Sequence, residues 1–277
     1  MRTAPRRWRS ALFAALIAAL ASGAICAPRL SLPVSEQGEA ISAIRERGVL
    51  RVGLRQDLPR FAYLEPRTNR WHGFEVALAR EIAAALLGDP AKLELVRVAA
   101  AQPLAPLQDG SADLVIAQLS RDLSREIAVS SPYFVSGIGY LVPRGRAAVP
   151  IEELSRTPVC AVARSGAAEA LRARIPEART VLVDTGTECL AALAGGSAGA
   201  MVGEIPLLVR LALEDPATAI GADLLEEHPL VVGAARHQPD LLRAVDELLA
   251  ALRRSSRWTA LHRYYFDGLL PPRQPPA

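Results

Sequence analysis

The chain has 277 residues, 51% of them hydrophobic, with 32 basic against 29 acidic side chains and a formal net charge of +3. Four arginines and no acid fall in residues 1–27, leaving 28 basic and 29 acidic residues beyond them, a net charge of −1. The sequence pI near 9.0 therefore belongs to that leader, and no basic stripe interleaved with aromatics supports nucleic-acid binding.

Arg2, Arg6, Arg7 and Arg9 precede an unbroken apolar run at 11–21, followed by the small residues Ser22, Gly23, Ala24 and Ala27. That order predicts a cleaved secretory signal peptide over residues 1–27. The run is too short for a lasting membrane span, which needs about 20 apolar residues. An uncleaved anchor and a lipidated N-terminus at Cys26 are the alternatives, the second weakened by Gly23-Ala24-Ile25 before the cysteine. The expectation is an exported protein.

Beyond the leader, residues 50–54 form a short strand. Phe74, Leu78, Ile82, Ala85 and Leu86 then recur at helical spacing until Gly88-Asp89-Pro90 stops the helix. Residues 93–98 make a second strand. A short helix leads into 113–117, a continuous apolar run of the kind buried on both faces. After Pro150 the pattern restarts: strand 159–163, helix 167–174, strand 180–183, helix 188–194, strand 199–202. Residues 240–253 make a final helix with one apolar face. Strands alternating with helices predict parallel sheets covered by helices.

Residues 137–142 and 230–234 read as crossings between two such units. The prediction is an α/β, two-lobe clamshell in which each lobe is a mostly parallel sheet flanked by helices, with a two-strand hinge. Residues 40–138 with 233–270 form lobe 1 and residues 143–229 the inserted lobe 2. Strand carboxyl ends would face the cleft between them.

Past the leader the cysteines are Cys160 and Cys189. An oxidising compartment permits a bridge, and the sequence leaves a disulfide and two buried thiols equally open. No CxxC and no His/Cys cluster at ligand spacing points to a metal or another cofactor, so none is expected. His72, His228, His237 and His262 stand in no nucleophile arrangement.

Six stretches, at 44–48, 52–63, 73–79, 113–125, 132–134 and 258–266, occur in an order and spacing that resembles one family. It is the periplasmic solute-binding proteins of polar amino acid ABC importers, family 3, the glutamine- and glutamate-binding type. The resemblance runs from about residue 41 to 268. It implies a cleft that takes an amino acid zwitterion, whose two charges must both find partners when buried. By this resemblance Ser120, Asp122 and Arg125 match a segment whose arginine forks onto the α-carboxylate, a task that suits a planar guanidinium. Asp122 departs from the family's threonine, and the stretch from 125 to 132 is two residues short, which leaves Arg121 as a lesser candidate.

Glu204 stands where the family places an aspartate for the ammonium, and its position before Pro206 also suits a helix N-terminal acid. Phe61 matches the phenylalanine that packs on the ligand, and Asp57 the acid just before it, while Trp71 and Tyr63 read as core. Arg55 occupies a place where relatives taking acidic amino acids carry an arginine, which implies a preference for glutamate or aspartate. Gly166 and Ala167 stand where the family has Gly-Thr, offering helix N-terminal amides without the hydroxyl unless Ser165 supplies it.

The function implied is capture of a polar amino acid, acidic preferred, by cleft closure in the periplasm. A monomer without catalytic activity would then deliver it to an inner-membrane ABC permease. The alternatives are a cyclohexadienyl dehydratase-like enzyme on the same scaffold, with Glu204 or Asp57 as general acid, and a ligand sensor without a permease.

Overall fold

The structure, a computed structural model, describes residues 38–276. The predicted signal peptide and Cys26 lie outside them. Among the described residues no helix is long and apolar enough to cross a membrane.

Helix α1 (Glu39–Arg47) buries Ile41 and Ile44 and leads into β1 (Leu50–Leu54), whose Leu50, Val52 and Leu54 are fully buried. A small antiparallel sheet follows that the sequence pattern did not announce: β2 (Asp57–Leu58), β3 (Ala62–Glu65) and β4 (Arg70–His72). Gly73 turns the chain at φ 129, where a Cβ would stand 2.1 Å from the Phe61 carbonyl oxygen; glycine alone fits. Helix α2 (Phe74–Leu87) then buries Phe74, Leu78, Ile82 and Leu86 and ends on left-handed Gly88. Next come β5 (Leu93–Arg97), the short helix α3 (Ala105–Gln108) and β6 (Leu114–Ser120). At the foot of β6, Asp113 is held by Arg47 (2.5 Å) and Arg51 (3.2 Å).

Strand β7 (Ala128–Pro143) is sixteen residues long. It carries the chain into β8 (Val159–Val162), α4 (Gly166–Arg174), β9 (Thr180–Val183), α5 (Gly186–Ala194), β10 (Ala200–Glu204), α6 (Ile205–Glu214) and β11 (Thr218–Ile220). Strand β12 (Glu226–Ala234) returns, and α7 (Pro239–Arg254) and α8 (Arg257–Phe266) close the described chain.

The ladder runs β5-β1-β6-β12-β7-β10-β8-β9, with β11 on β7. The flanks β5-β1-β6 and β10-β8-β9 are parallel, whereas β7 and β12 are antiparallel to each other and to the neighbouring strands. The sheet runs from one half to the other because β7 and β12 are long enough to serve both, with register shifts around Val231. Each half keeps a separate core, one built on Val98, Leu107, Val115, Ile127 and Val231, the other on Tyr140, Leu154, Val159, Leu171 and Val202. Residues 230–234, expected to be the returning crossing, lie along β6 and the first part of β7. The passage between cores falls earlier, where Glu227 pairs with Gly137.

Cys160 on β8 and Cys189 on α5 form a disulfide with a Cα separation of 5.6 Å, tying strand to helix within the second half. In the first half α7 buries Leu241, Val245, Leu248 and Leu252. Helix α8 adds Trp258 and Phe266 to an aromatic cluster with Phe61, Phe74 and Phe134.

Candidate ligand site

Parallel strands expose unpaired backbone at their carboxyl ends, and ligands settle there in open α/β sheets. Here β1, β6 and β10 all end on one cavity of about 480 Å³. Arg55 follows β1, Ser120 closes β6 and Glu204 closes β10; Gln118 of β6, Ser136 of β7, His228 of β12 and Asp122 from the turn after β6 also line it, with Leu58, Pro206 and Leu230 as its apolar part.

Arg55 is the fixed cation of the site, and it is already engaged. Its Nε and Nη2 donate to Oδ1 and Oδ2 of Asp57 at 2.8 and 2.7 Å. That bond raises the guanidinium above its ordinary value and lowers the Asp57 carboxyl. Ser120 caps the 3₁₀ turn Arg121–Arg125: its Oγ accepts from the Asp122 amide at 3.3 Å and donates to the Asp122 carboxylate at 3.1 Å. Glu204 lies 3.8 Å from His228 Nδ1, whose ring also meets Glu226 at 3.3 Å. Partial desolvation pushes the Glu204 carboxyl up, His228 opposes the shift and Glu226 adds to it.

Behind the wall, Glu75 in the first turn of α2 is completely buried. Its Oε1 accepts from Gln118 Nε2 at 2.6 Å and from Tyr133 Oη at 2.5 Å. Burial raises its carboxyl from 4.5 to about 7, against the pull of both hydrogen bonds and of Arg55.

The cavity thus brings together Arg55, Ser120 and Glu204 of the residues named from sequence, together with Asp122. It leaves out the others. Asp57 lines a neighbouring recess of about 720 Å³ with Tyr63 and Arg210. Phe61 is fully buried, its ring 5.2 Å from Phe134 and 4.8 Å from Phe266, and is core because its neighbours are aromatic on two sides. Arg125 is exposed, and its carbonyl accepts from Arg236. Gly166 opens α4 at the surface, and the Ala167 methyl is buried in the second core.

Gln118, Ser136 and His228 were not anticipated as site residues. Gln118 had a signal: it is the one polar residue within the apolar run of β6.

Two cores joined by paired long strands, with a cavity where both sets of parallel strands end, define a two-lobe ligand-binding clamshell. The model for bacterial extracellular solute-binding proteins, family 3, matches residues 50–268, and the chain belongs to that family. It is 25% identical over 253 residues to the glutamine-binding protein of Geobacillus stearothermophilus, covering 86% of this chain and 97% of that protein. Among solved structures, an ancestral cationic amino acid solute-binding protein superposes with a TM-score of 0.68 at 24% identity, covering 82% of this chain and 99% of that one. An ancestral cyclohexadienyl dehydratase gives a TM-score of 0.65 at 20% identity over 83% of this chain and 97% of that one.

Proposed function

We propose that this chain is exported by its N-terminal segment and captures a polar amino acid in the periplasm for an inner-membrane ABC permease, acting as a monomer. In this reading residues 40–138 with 233–270 close onto residues 143–229. The observation that carries it is the shared cavity, into which the first part contributes Arg55 and Ser120 and the second Glu204. Arg55 Nη1 has no partner among the described residues and can serve the ligand carboxylate, while Glu204 takes the ammonium. Each end then adds affinity only when the lobes meet, and that difference drives closure.

The acidic preference suggested by Arg55 has a competitor in Asp57, which occupies two of its donors. With Asp122 and Glu204 in the wall and Glu226 beside it, acceptors outnumber donors. Neutral or cationic amino acids therefore stand ahead of glutamate and aspartate. The glutamine-binding relative supports a neutral ligand. Calorimetric titration with L-arginine, L-glutamine, L-glutamate and L-aspartate tests it; tighter binding of the two acids reverses the ranking, and binding of none removes the reading.

One observation favours catalysis instead: Glu204, raised by burial in a cavity beside His228, is suited to giving a proton. Aromatic absorbance growing in a cyclohexadienyl substrate incubated with the protein, and failing with Glu204→Gln, would establish that activity.

A further inference from the structure

Gln118 is held in a conformation that its residue type disfavours. Its φ is +57, in the left-handed region, in the middle of a strand whose neighbours are buried and extended. Non-glycine residues persist there only when their surroundings over-determine them, and such residues gather at ligand clamps.

The restraint is identifiable. Gln118 Nε2 donates to Glu75 Oε1 at 2.6 Å. Glu75 is in turn gripped by the buried Tyr133 hydroxyl. This anchor fixes which way the side-chain amide faces: the nitrogen is turned inward. The amide oxygen accepts no hydrogen bond from the described residues and is not among their buried, unpartnered atoms. It is therefore reachable by solvent, on a residue that lines the cavity.

Gln118, locked by the Glu75–Tyr133 pair behind it, is, we propose, a ligand-contacting specificity residue whose amide oxygen accepts from a side-chain ammonium or guanidinium N–H of the bound amino acid. The inference rests on the amino acid-binding reading above and deepens it. The partners around the same space suit the role: Asp122 and Glu204 are acceptors too. A donor-rich group entering there meets Gln118 oriented in advance, and preorganisation removes the cost of ordering a flexible amide on binding.

Gln118→Gly separates this role from a structural one, because glycine takes the left-handed conformation without strain. The variant relieves the strained backbone but gives up the hydrogen bond to Glu75, so it is expected to remain folded with a cooperative melt and to bind L-arginine at least about 10-fold more weakly, as expected for losing a hydrogen bond to a charged group. L-glutamate affinity should fall less, so that the arginine-to-glutamate ratio shrinks. Gln118→Asn, which tolerates the same backbone but is one methylene shorter, should fall between the two. If wild type binds L-arginine and both variants bind it equally well, Gln118 is a structural residue and the proposal is overturned while the binding function stands. If wild type binds no amino acid by calorimetry, the functional reading fails and takes this one with it.

Discussion

Glu75→Gln tests the most heavily perturbed carboxyl in the described structure. The side chain is fully buried, with Oε1 doubly bonded and Oε2 lacking a partner among the described residues. Burial lifts its folded-state value from 4.5 to about 7. The folded protein therefore holds this proton more tightly than the unfolded chain does. Its contribution is fully present below pH 4.5 and is lost as pH rises to about 7, a fall of about 3 kcal/mol.

His262 works in the opposite direction: burial lowers it from 6.5 to about 4, so its contribution is lost as pH falls through that window. The two nearly cancel in wild type, and only the difference between proteins exposes Glu75. Gln keeps an acceptor for Gln118 and Tyr133 and has no proton to lose. Urea unfolding at pH 5, 6, 7 and 8 should show the variant gaining on wild type by about 2–3 kcal/mol across the series, then levelling. Parallel curves for the two proteins from pH 5 to 8 would refute the assignment of a buried, proton-holding carboxyl.

Replacing both Cys160 and Cys189 by serine opens a loop of sequence separation 29 and should cost about 3–4 kcal/mol on the chain-entropy account; a loss below about 1 kcal/mol in denaturant unfolding contradicts it. Arg55→Ala should weaken L-arginine or L-glutamine binding about 10-fold or more through loss of the carboxylate contact, whereas Arg125→Ala stays near wild type by calorimetry; the reverse order returns the role to Arg125. Gly137→Ala should lower the melting temperature measurably, because φ is +146 and the new Cβ would fall 1.9 Å from the Glu226 carbonyl oxygen where β7 and β12 pass between cores. An unchanged melting temperature there would mean the crossing yields freely.

Short apolar runs marked two strands to the residue. β1 at Leu50–Leu54, with Leu50, Val52 and Leu54 fully buried, coincides with its run, and so does β9 at Thr180–Val183, an edge strand that is only half-buried and leaves Leu182 exposed. β7 was anticipated only at 137–142. Its first half is interrupted by Ser130, Ser131, Pro132 and Ser136, which break the apolar run. In the structure Ser130 Oγ accepts from the Val232 amide at 2.9 Å, and the β7–β12 register shifts beside Val231, which pairs with Pro132. Polar residues here support an irregular ladder, and periodicity cannot register that. The β2–β4 sheet escaped notice because its strands are two to four residues long, shorter than any pattern window.

The site was legible in strand ends and obscure in directions. Ser120 and Glu204 line the cavity because each closes a strand, and strand ends follow from the apolar runs. Motif matching says nothing of which way a neighbouring side chain turns. Phe61 follows β2 by three residues yet faces Phe134 and Phe266, partners 73 and 205 positions away in the sequence. Arg125 lies on a turn whose carbonyls Ser124, Arg125 and Glu126 are all held by Arg236, a restraint from beyond the second half of the chain. Arg55 shows the opposite case. The acid that satisfies it stands two residues along, at Asp57, in plain sequence view. An arginine with an adjacent carboxylate is a weaker argument for an acidic ligand than the same arginine alone, because the ligand must compete with a charge already present at 2.7 Å.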